Sequence, residues 1–232
     1  MCTRLIYALP VYGPIAGPVF NDGKDVTVGA LVLNFDCPTV LESFLRADTG
    51  AHPLDECVYV VIAYAVKNDT ERQTYRSMRE NFSRYRFIDV SDENVTAIVH
   101  KSMRDMSTDY VLVTDAAAPV PVTVTVAMTH HPSIRECAKV MRATGAYTFS
   151  LADGLDVRGP VELLESDTYI RKFACAQAGS VSPHNMFTSL YCVQDVVAAT
   201  EKMPATSLET FSLEWSKTAV DGHKVGLFCS KK

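Results

Sequence analysis

Hydrophobic positions along this chain fall into two patterns, short apolar runs and longer stretches in which apolar residues recur every three or four positions. The strongest runs cover residues 58–65 and 110–114, which are rich in β-branched and aromatic side chains. Runs of this kind are typical of strands buried on both faces of a parallel sheet, whereas the three-to-four spacing is typical of amphipathic helices. The pattern therefore predicts an α/β protein.

The two patterns alternate along the sequence. Predicted strands cover residues 4–9, 30–33, 58–65, 85–90, 110–114, 139–151, 161–164 and 225–229, and predicted helices cover residues 38–46, 68–81, 92–106, 187–202 and 208–215. Strands that alternate with helices of this length indicate βαβ units and a mostly parallel sheet. Because no repeat, low-complexity tract or linker interrupts the pattern, we expect residues 1–232 to form a single domain.

A turn-rich stretch, residues 152–160, separates two extended segments in the second half of the chain. Together they predict a β-arm, at about residues 148–166, that protrudes from the α/β core. An arm of this kind is a natural dimer element. The sequence therefore predicts a homodimer that associates through the arm.

Asp115 and Ala116 directly follow the apolar run 110–114. Open α/β sheets bind their ligands at the carboxyl ends of central strands, and a carboxylate there can hold a divalent ion and, through it, phosphate oxygens. The alternative is that Asp115 only caps the start of a helix.

A loop rich in glycine and proline, residues 10–18, follows the first predicted strand. Backbone N–H groups of glycine-rich turns at this point of an α/β fold often cradle phosphates, and Lys24 offers a nearby cation. However, the prolines of the loop remove N–H donors, and Ile15 is bulky where a glycine would allow close approach. Lys24 has a second interpretation, as a solvated turn residue.

Composition excludes several functional classes. The net charge is −5 and the basic residues are dispersed, so we expect no nucleic-acid partner. No apolar run reaches membrane-spanning length and no export signal is recognisable, which predicts a cytoplasmic protein. The seven cysteines are scattered and form no Cys-x-x-Cys pair, so neither a disulfide framework nor a zinc site is expected.

Residues 109–119 have the sequence Asp-Tyr-Val-Leu-Val-Thr-Asp-Ala-Ala-Ala-Pro. This segment resembles the strand Tyr/Trp-Val-Leu-Val-His-Asp-Ala-Ala-Arg-Pro of the 2-C-methyl-D-erythritol 4-phosphate cytidylyltransferase family, within the wider group of nucleotidyltransferases and GT-A type glycosyltransferases. Weaker similarities cover residues 39–42, 60–63, 167–177, 212–215 and 221–225. The resemblance implies a single-domain, Rossmann-like nucleotide-diphospho-sugar transferase fold.

The resemblance also implies an activity, the transfer of CMP from CTP to a sugar-alcohol phosphate in isoprenoid precursor synthesis, with Mg²⁺ as cofactor. It assigns Asp115 and Asp221 to the metal and Lys24 and Lys224 to catalysis as phosphate cations. Pro10, Gly13, Asp115 and Ala116 would contact the nucleotide.

The chain departs from the family at several charged positions. Gly17, Ala118 and Thr168 stand where the family has arginines that bind phosphate. Because the loss of one such donor costs on the order of a hundred- to a thousand-fold in rate, we expect weak or altered transferase activity. The alternatives are a non-catalytic, dimeric binding or regulatory scaffold, and a GT-A glycosyltransferase. The latter needs an Asp-x-Asp motif whose second acid is replaced here by Ala117.

Overall fold

The computed structural model describes residues 25–35, 38–46, 53–91, 94–116, 133–151, 162–163, 170–174, 188–218 and 224–229. The strands are β1 (Val28–Asn34), β2 (Tyr59–Tyr64), β3 (Arg86–Asp89), β4 (Tyr110–Asp115), β5 (Thr148–Ser150), β6 (Glu162–Leu163), β7 (Ile170–Ala174), β8 (Ser189–Cys192) and β9 (Val225–Cys229). The helices are α1 (Pro38–Arg46), α2 (Asp69–Asn81), α3 (Val95–Asp105), α4 (Ile134–Thr144), α5 (Val193–Thr200) and α6 (Leu208–Thr218), with a short 3-10 helix at Pro53–Glu56.

All these strands belong to one sheet, in the order β3-β2-β1-β4-β8-β5-β9-β7-β6. Strands β1 to β4 pair in parallel, β8 runs antiparallel to β4 and β5, and β7 runs antiparallel to β9 and β6. Only β7 and β8 therefore oppose the common direction of the described strands. The predicted α/β class with a mostly parallel sheet is confirmed.

Helices cover both faces of the sheet. The first face carries α1, α2 and α4, whose buried residues join one hydrophobic cluster, and the second face carries α3, α5 and α6, which join another. Every residue of β1 is buried. Burial on both faces explains why this strand reads as a continuous apolar run.

The second face is anchored by an aromatic cluster around Trp215, which lies on α6 and has no exposed surface. The Trp215 ring meets Tyr191 edge-on at 5.2 Å between centroids, and it stacks with Phe211 at 6.3 Å and with Tyr147 at 6.4 Å. Large buried rings contribute much of the packing energy of a core. This cluster therefore attaches α6 to the sheet.

The structure corrects the strand predicted over residues 139–151, of which residues 139–144 belong to α4. The Ser133 side chain accepts a hydrogen bond from the Glu136 N–H and the Glu136 carboxylate accepts one from the Ser133 N–H, which forms a capping box. Gly145, at φ +65°, ends the helix in the left-handed conformation. The strand is limited to Thr148–Ser150 because these local signals favour a helix before Gly145.

A second correction concerns the helix predicted over residues 187–202. Its first part is strand β8, and the helix begins only at Val193. The sheet decides this difference, because Leu190 pairs with Leu112 on one side and with Phe149 on the other. Strand β7, Ile170–Ala174, was not predicted at all.

The predicted strand 4–9 and most of the arm predicted at residues 148–166 lie outside the described residues. Of the arm, the structure describes Thr148–Ser150, Leu151 and Glu162–Leu163, so its role in a dimer stays a prediction. None of the described helices combines the length and the apolar character needed to span a membrane.

Candidate functional site

The carboxyl ends of β1 and β4 lie side by side in the centre of the parallel half of the sheet. Ligands of open α/β sheets bind outside the carboxyl ends of their strands. We call this place the β1/β4 crevice.

Asp115 is the last residue of β4 and lies at this crevice. It is in register with Leu33 of β1, and the N–H of Ala116 donates to the Leu33 carbonyl at 3.0 Å. Asp115 is half-buried and Ala116 is buried. Strand pairing therefore fixes the backbone that carries the carboxylate, at the end of a central strand as the sequence predicts. Residues from 117 onward, which bear on the helix-capping alternative, lie outside the described residues.

The end of β1 contributes a fully buried amide, Asn34. Its Nδ2 donates to the Tyr75 hydroxyl at 2.6 Å, and the Tyr75 ring stacks on Tyr64 with 4.1 Å between centroids. No described residue donates a hydrogen bond to Asn34 Oδ1. The sequence analysis missed this residue, although a polar side chain directly after the apolar residues 30–33 was a usable signal.

Hydrogen bonds connect the carboxyl ends of β2 and β3. Asp89 accepts hydrogen bonds from the Ser91 N–H and hydroxyl, and the Ser91 hydroxyl accepts one from the Val66 N–H at 3.0 Å. Burial, followed by the nearby Asp89 carboxylate, raises the pKa of Tyr64, although the Arg79 charge acts against this. Tyr64 therefore stays a neutral phenol at neutral pH.

Buried hydroxyl groups lie on the other side of β4. Ser189 pairs with Val113 of β4 and with Ser150 of β5, and both serines are buried. Thr188, directly before β8, has φ +62°. A β-branched residue in the left-handed region is strained, and strain of this kind concentrates at functional sites.

Lys224 lies at the amino ends of the parallel strands, whereas Asp115 lies at their carboxyl ends. It precedes β9, and the strand register runs from Gly226 through Thr148 and Tyr191 to Val111. Lys224 is therefore level with Asp109, about 20 Å along the strand direction from Asp115. The structure does not bring these two predicted site residues together.

At the amino ends of the parallel strands, the Lys224 side chain interacts with an aromatic ring and with a carboxylate. Its Nζ lies 3.8 Å from the centroid of the Tyr147 ring. Burial raises the pKa of Asp195, and the Lys224 charge acts in the opposite direction. Lys224 thus interacts with the aromatic cluster and, through its charge, with Asp195 of α5.

The other predicted site residues, Pro10, Gly13, Lys24 and Asp221, lie outside the described residues. Within the described ranges, no group of three or more His, Cys, Asp or Glu side chains could hold a metal ion. Asp115 is the carboxylate that strand pairing places at the crevice. Because Mg²⁺ is often held by one or two carboxylates together with substrate phosphates and water, this donor set fits a cation that arrives with a nucleotide.

No protein-family model and no curated protein matches this sequence. Solved structures do match. TarS of S. aureus, residues 1–349, aligns with a TM-score of 0.54 at 11% identity over 88% of this chain and 58% of that chain. Its complex with UDP gives 0.53 at 11% identity, over 89% and 61%. The chain has the GT-A type fold of nucleotide-sugar transferases.

Two other solved structures align with lower TM-scores. A mannosyltransferase from Pyrobaculum calidifontis, solved with GDP-Man and Mn²⁺, aligns at a TM-score of 0.42 and 15% identity, over 56% of this chain and 36% of that chain. A nucleotidyl transferase from Methanothermobacter aligns at 0.46 and 9% identity, over 89% and 88%. The present chain thus spans less than two thirds of TarS residues 1–349 and of the mannosyltransferase.

Proposed function

We propose that this chain is a nucleotide-dependent transferase, and that it binds the diphosphate of a nucleotide in the β1/β4 crevice through a divalent cation held by Asp115. The observation that carries the proposal is the position of this carboxylate. Asp115 ends a central parallel strand, next to the carboxyl end of β1. Ligands of open α/β sheets bind at such a point.

The chemistry of the site follows from the charge of the ligand. Nucleotidyl transfer expels pyrophosphate and glycosyl transfer from a nucleotide sugar expels a nucleoside diphosphate, so both reactions need a way to stabilise a diphosphate leaving group. A divalent cation supplies that stabilisation. Asp115 would hold the cation, and the buried strand ends on either side of Asp115 would keep its backbone from moving.

Two sequence features make us propose slow turnover. Ala117 stands where a GT-A glycosyltransferase has its second acid, and Ala118 stands where the cytidylyltransferase family has an arginine. Each lost charged group costs on the order of a hundred-fold or more in rate. The same two positions favour the second candidate function, a scaffold that binds a nucleotide without turning it over.

Titration calorimetry tests the binding step. Wild-type protein is titrated with Mg²⁺ and UDP, CTP or ATP, and so are Asp115→Asn and the control Glu201→Gln, whose carboxylate is exposed at the end of α5. We expect Asp115→Asn to weaken binding by on the order of tenfold or more, because a charged ligand of the cation is lost. Equal affinities for wild type and Asp115→Asn would contradict the proposed site.

Product assays then separate the reactions. Release of pyrophosphate from CTP in the presence of 2-C-methyl-D-erythritol 4-phosphate would support the finer proposal of cytidylyl transfer. Release of UDP from UDP-GlcNAc would support glycosyl transfer. Binding without either product would favour the scaffold.

A further inference from the structure

The end of β1 holds a polar group that the proposed function does not yet use. Asn34 has no exposed surface, its Nδ2 is bound to Tyr75, and no described residue donates to its Oδ1. A buried carbonyl oxygen without a donor costs roughly 1–3 kcal/mol. Such groups are rare in folded proteins, so each needs a physical explanation.

The position of Asn34 supplies one. It directly follows Leu33, the register partner of Asp115, so the Cα atoms of Asn34 and Asp115 are about 6 Å apart. Because side chains alternate along a strand, Asp115 continues the row of Val111 and Val113 on the second face, whereas Asn34 continues the row of Val32 on the first face. The two side chains thus leave neighbouring strand ends toward opposite faces of the sheet.

We propose that Asn34 is a specificity-determining residue of the β1/β4 crevice. Its Oδ1 accepts a hydrogen bond from an N–H or O–H group of the nucleoside part of the bound nucleotide, while the diphosphate lies toward Asp115. This inference rests on the proposed function. It extends that function because Asn34 would recognise the nucleoside, whereas Asp115 would bind the phosphates through the cation.

Tyr75 sets the orientation of the amide. Its hydroxyl accepts a hydrogen bond from Asn34 Nδ2 at 2.6 Å. Because Nδ2 faces Tyr75 on α2, the side-chain carbonyl oxygen of Asn34 faces away from α2. The stack of Tyr75 on Tyr64, 4.1 Å between centroids, holds the hydroxyl in place. An acceptor that is oriented before the ligand arrives binds without an ordering cost, so Tyr75 is a positioning residue.

Three groups of a nucleoside could donate to Asn34, an N–H of the base and the 2′- and 3′-hydroxyls of the ribose. Comparison of UDP and CTP with their 2′-deoxy forms separates the 2′-hydroxyl from the other two. If the 2′-hydroxyl is the donor, the deoxy forms bind wild type more weakly, and the Asn34→Leu variant no longer distinguishes the two sugars. If the base or the 3′-hydroxyl is the donor, wild type binds both sugars equally while Asn34→Leu weakens both.

The test is titration calorimetry of Mg²⁺ with these four nucleotides on wild type and Asn34→Leu. We expect about a tenfold or greater loss of affinity in the variant, because the ligand's donor is left unpaired. The melting temperature should stay equal or rise, since the variant no longer buries an unpaired carbonyl. Wild-type affinity in Asn34→Leu would overturn the inference and would favour a buried water as the partner of Oδ1.

Thr148→Val is the matched control. Thr148 is also fully buried and its Oγ1 has no hydrogen-bond partner among the described residues, but it is level with Val111, four residues before Asp115 along the strand direction. The change removes a buried unpaired oxygen away from the crevice. It should leave nucleotide affinity unchanged, and a loss of affinity equal to that of Asn34→Leu would overturn the inference.

Tyr75→Phe provides a second variant should Asn34→Leu fail to fold. It keeps the ring and frees the amide to rotate, so we expect a loss of affinity of about threefold or more, and an unchanged affinity would overturn the inference. The two proposals fail separately. If Asp115→Asn weakens binding and Asn34→Leu does not, the proposed role of Asn34 is wrong and the nucleotide site at Asp115 stands. If the wild type binds no nucleotide, both proposals are wrong.

Discussion

The Asp109 carboxylate accepts two hydrogen bonds from Thr27, one from its N–H and one from its hydroxyl, both at 2.8 Å. The Asp109 N–H in turn donates to the Thr27 hydroxyl at 3.1 Å. These bonds join the segment before β1 to the segment before β4. They hold together the two strands that form the crevice, from the end opposite to it.

This relationship predicts a pH-dependent loss of stability. Asp109→Ala should lower the free energy of unfolding by about 1 kcal/mol at pH 7, a modest value because the carboxylate is exposed. The hydrogen bond from the Thr27 N–H is the main reason why the pKa of Asp109 is lower than that of an ordinary aspartate. Because the pKa of Asp109 is lower in the folded than in the unfolded protein, its ionised carboxylate stabilises the fold at pH values above the ordinary carboxyl pKa. This contribution is lost as the pH falls through the pKa of the folded state.

Urea unfolding of wild type and Asp109→Ala at pH 7 and at acidic pH measures this effect. The difference between the two proteins should shrink as the pH is lowered. Glu201→Ala, at an exposed position, is the control and should change little at either pH. A difference that grows toward acidic pH would contradict the assignment.

Gly29 leaves no room for a side chain. A Cβ at this position would lie 3.0 Å from Thr108 Oγ1 and 3.2 Å from both Met106 Sδ and the Tyr59 carbonyl oxygen. We expect Gly29→Ala to destabilise the protein by about 1–3 kcal/mol, as overpacked cores do. Thermal unfolding checks this, and Gly29→Ala combined with Thr108→Ala should regain part of the loss because one of the contacts is removed.

A substitution of Lys224 tests whether this residue belongs to the nucleotide site. Because its ammonium group lies over Tyr147 and far along the strands from Asp115, Lys224→Met should leave nucleotide affinity unchanged. It should lower the free energy of unfolding by about 0.5–1 kcal/mol, the usual value of a cation–π contact. Calorimetry and urea unfolding of the same preparation measure both quantities. A large loss of affinity would instead restore Lys224 to the phosphate site.

Cys57 should resist thiol reagents while the protein is folded. Burial, followed by the Glu56 carboxylate, raises the pKa of its thiol to about 12. The thiolate, which is the reactive form, is then present at about one part in ten thousand at pH 8. Mass mapping after iodoacetamide treatment should find Cys57 unmodified in native protein and modified in urea. Rapid native labelling would contradict this environment.

The sequence predicted best those elements whose signals are local. Helix α1 was predicted with its bounds, because Pro38 fits a first helical turn and the apolar residues that follow have helical spacing. Helix α2 followed from the Asn68 cap, whose side chain accepts from the Glu71 N–H. Strand β4 and the position of Asp115 at its end followed from an unbroken apolar run before an acid.

Features that depend on contacts between distant residues were missed. Asn34 and Tyr75 lie 41 positions apart, so their hydrogen bond has no local signature. The sequence predicts a helix over strand β8 because the pairing of β8 with β4 and β5 is not visible along the chain. Lys224 was assigned by resemblance alone, and only the strand register shows which end of the sheet it occupies.

The aromatic cluster has a practical consequence for these experiments. Trp215 is the only tryptophan of the chain, and it is enclosed by three other rings between α6 and the sheet. Its emission is thus an intrinsic spectroscopic probe of whether α6 is docked. Every variant can be checked for a native core in the cuvette, without a label, before its affinity is interpreted.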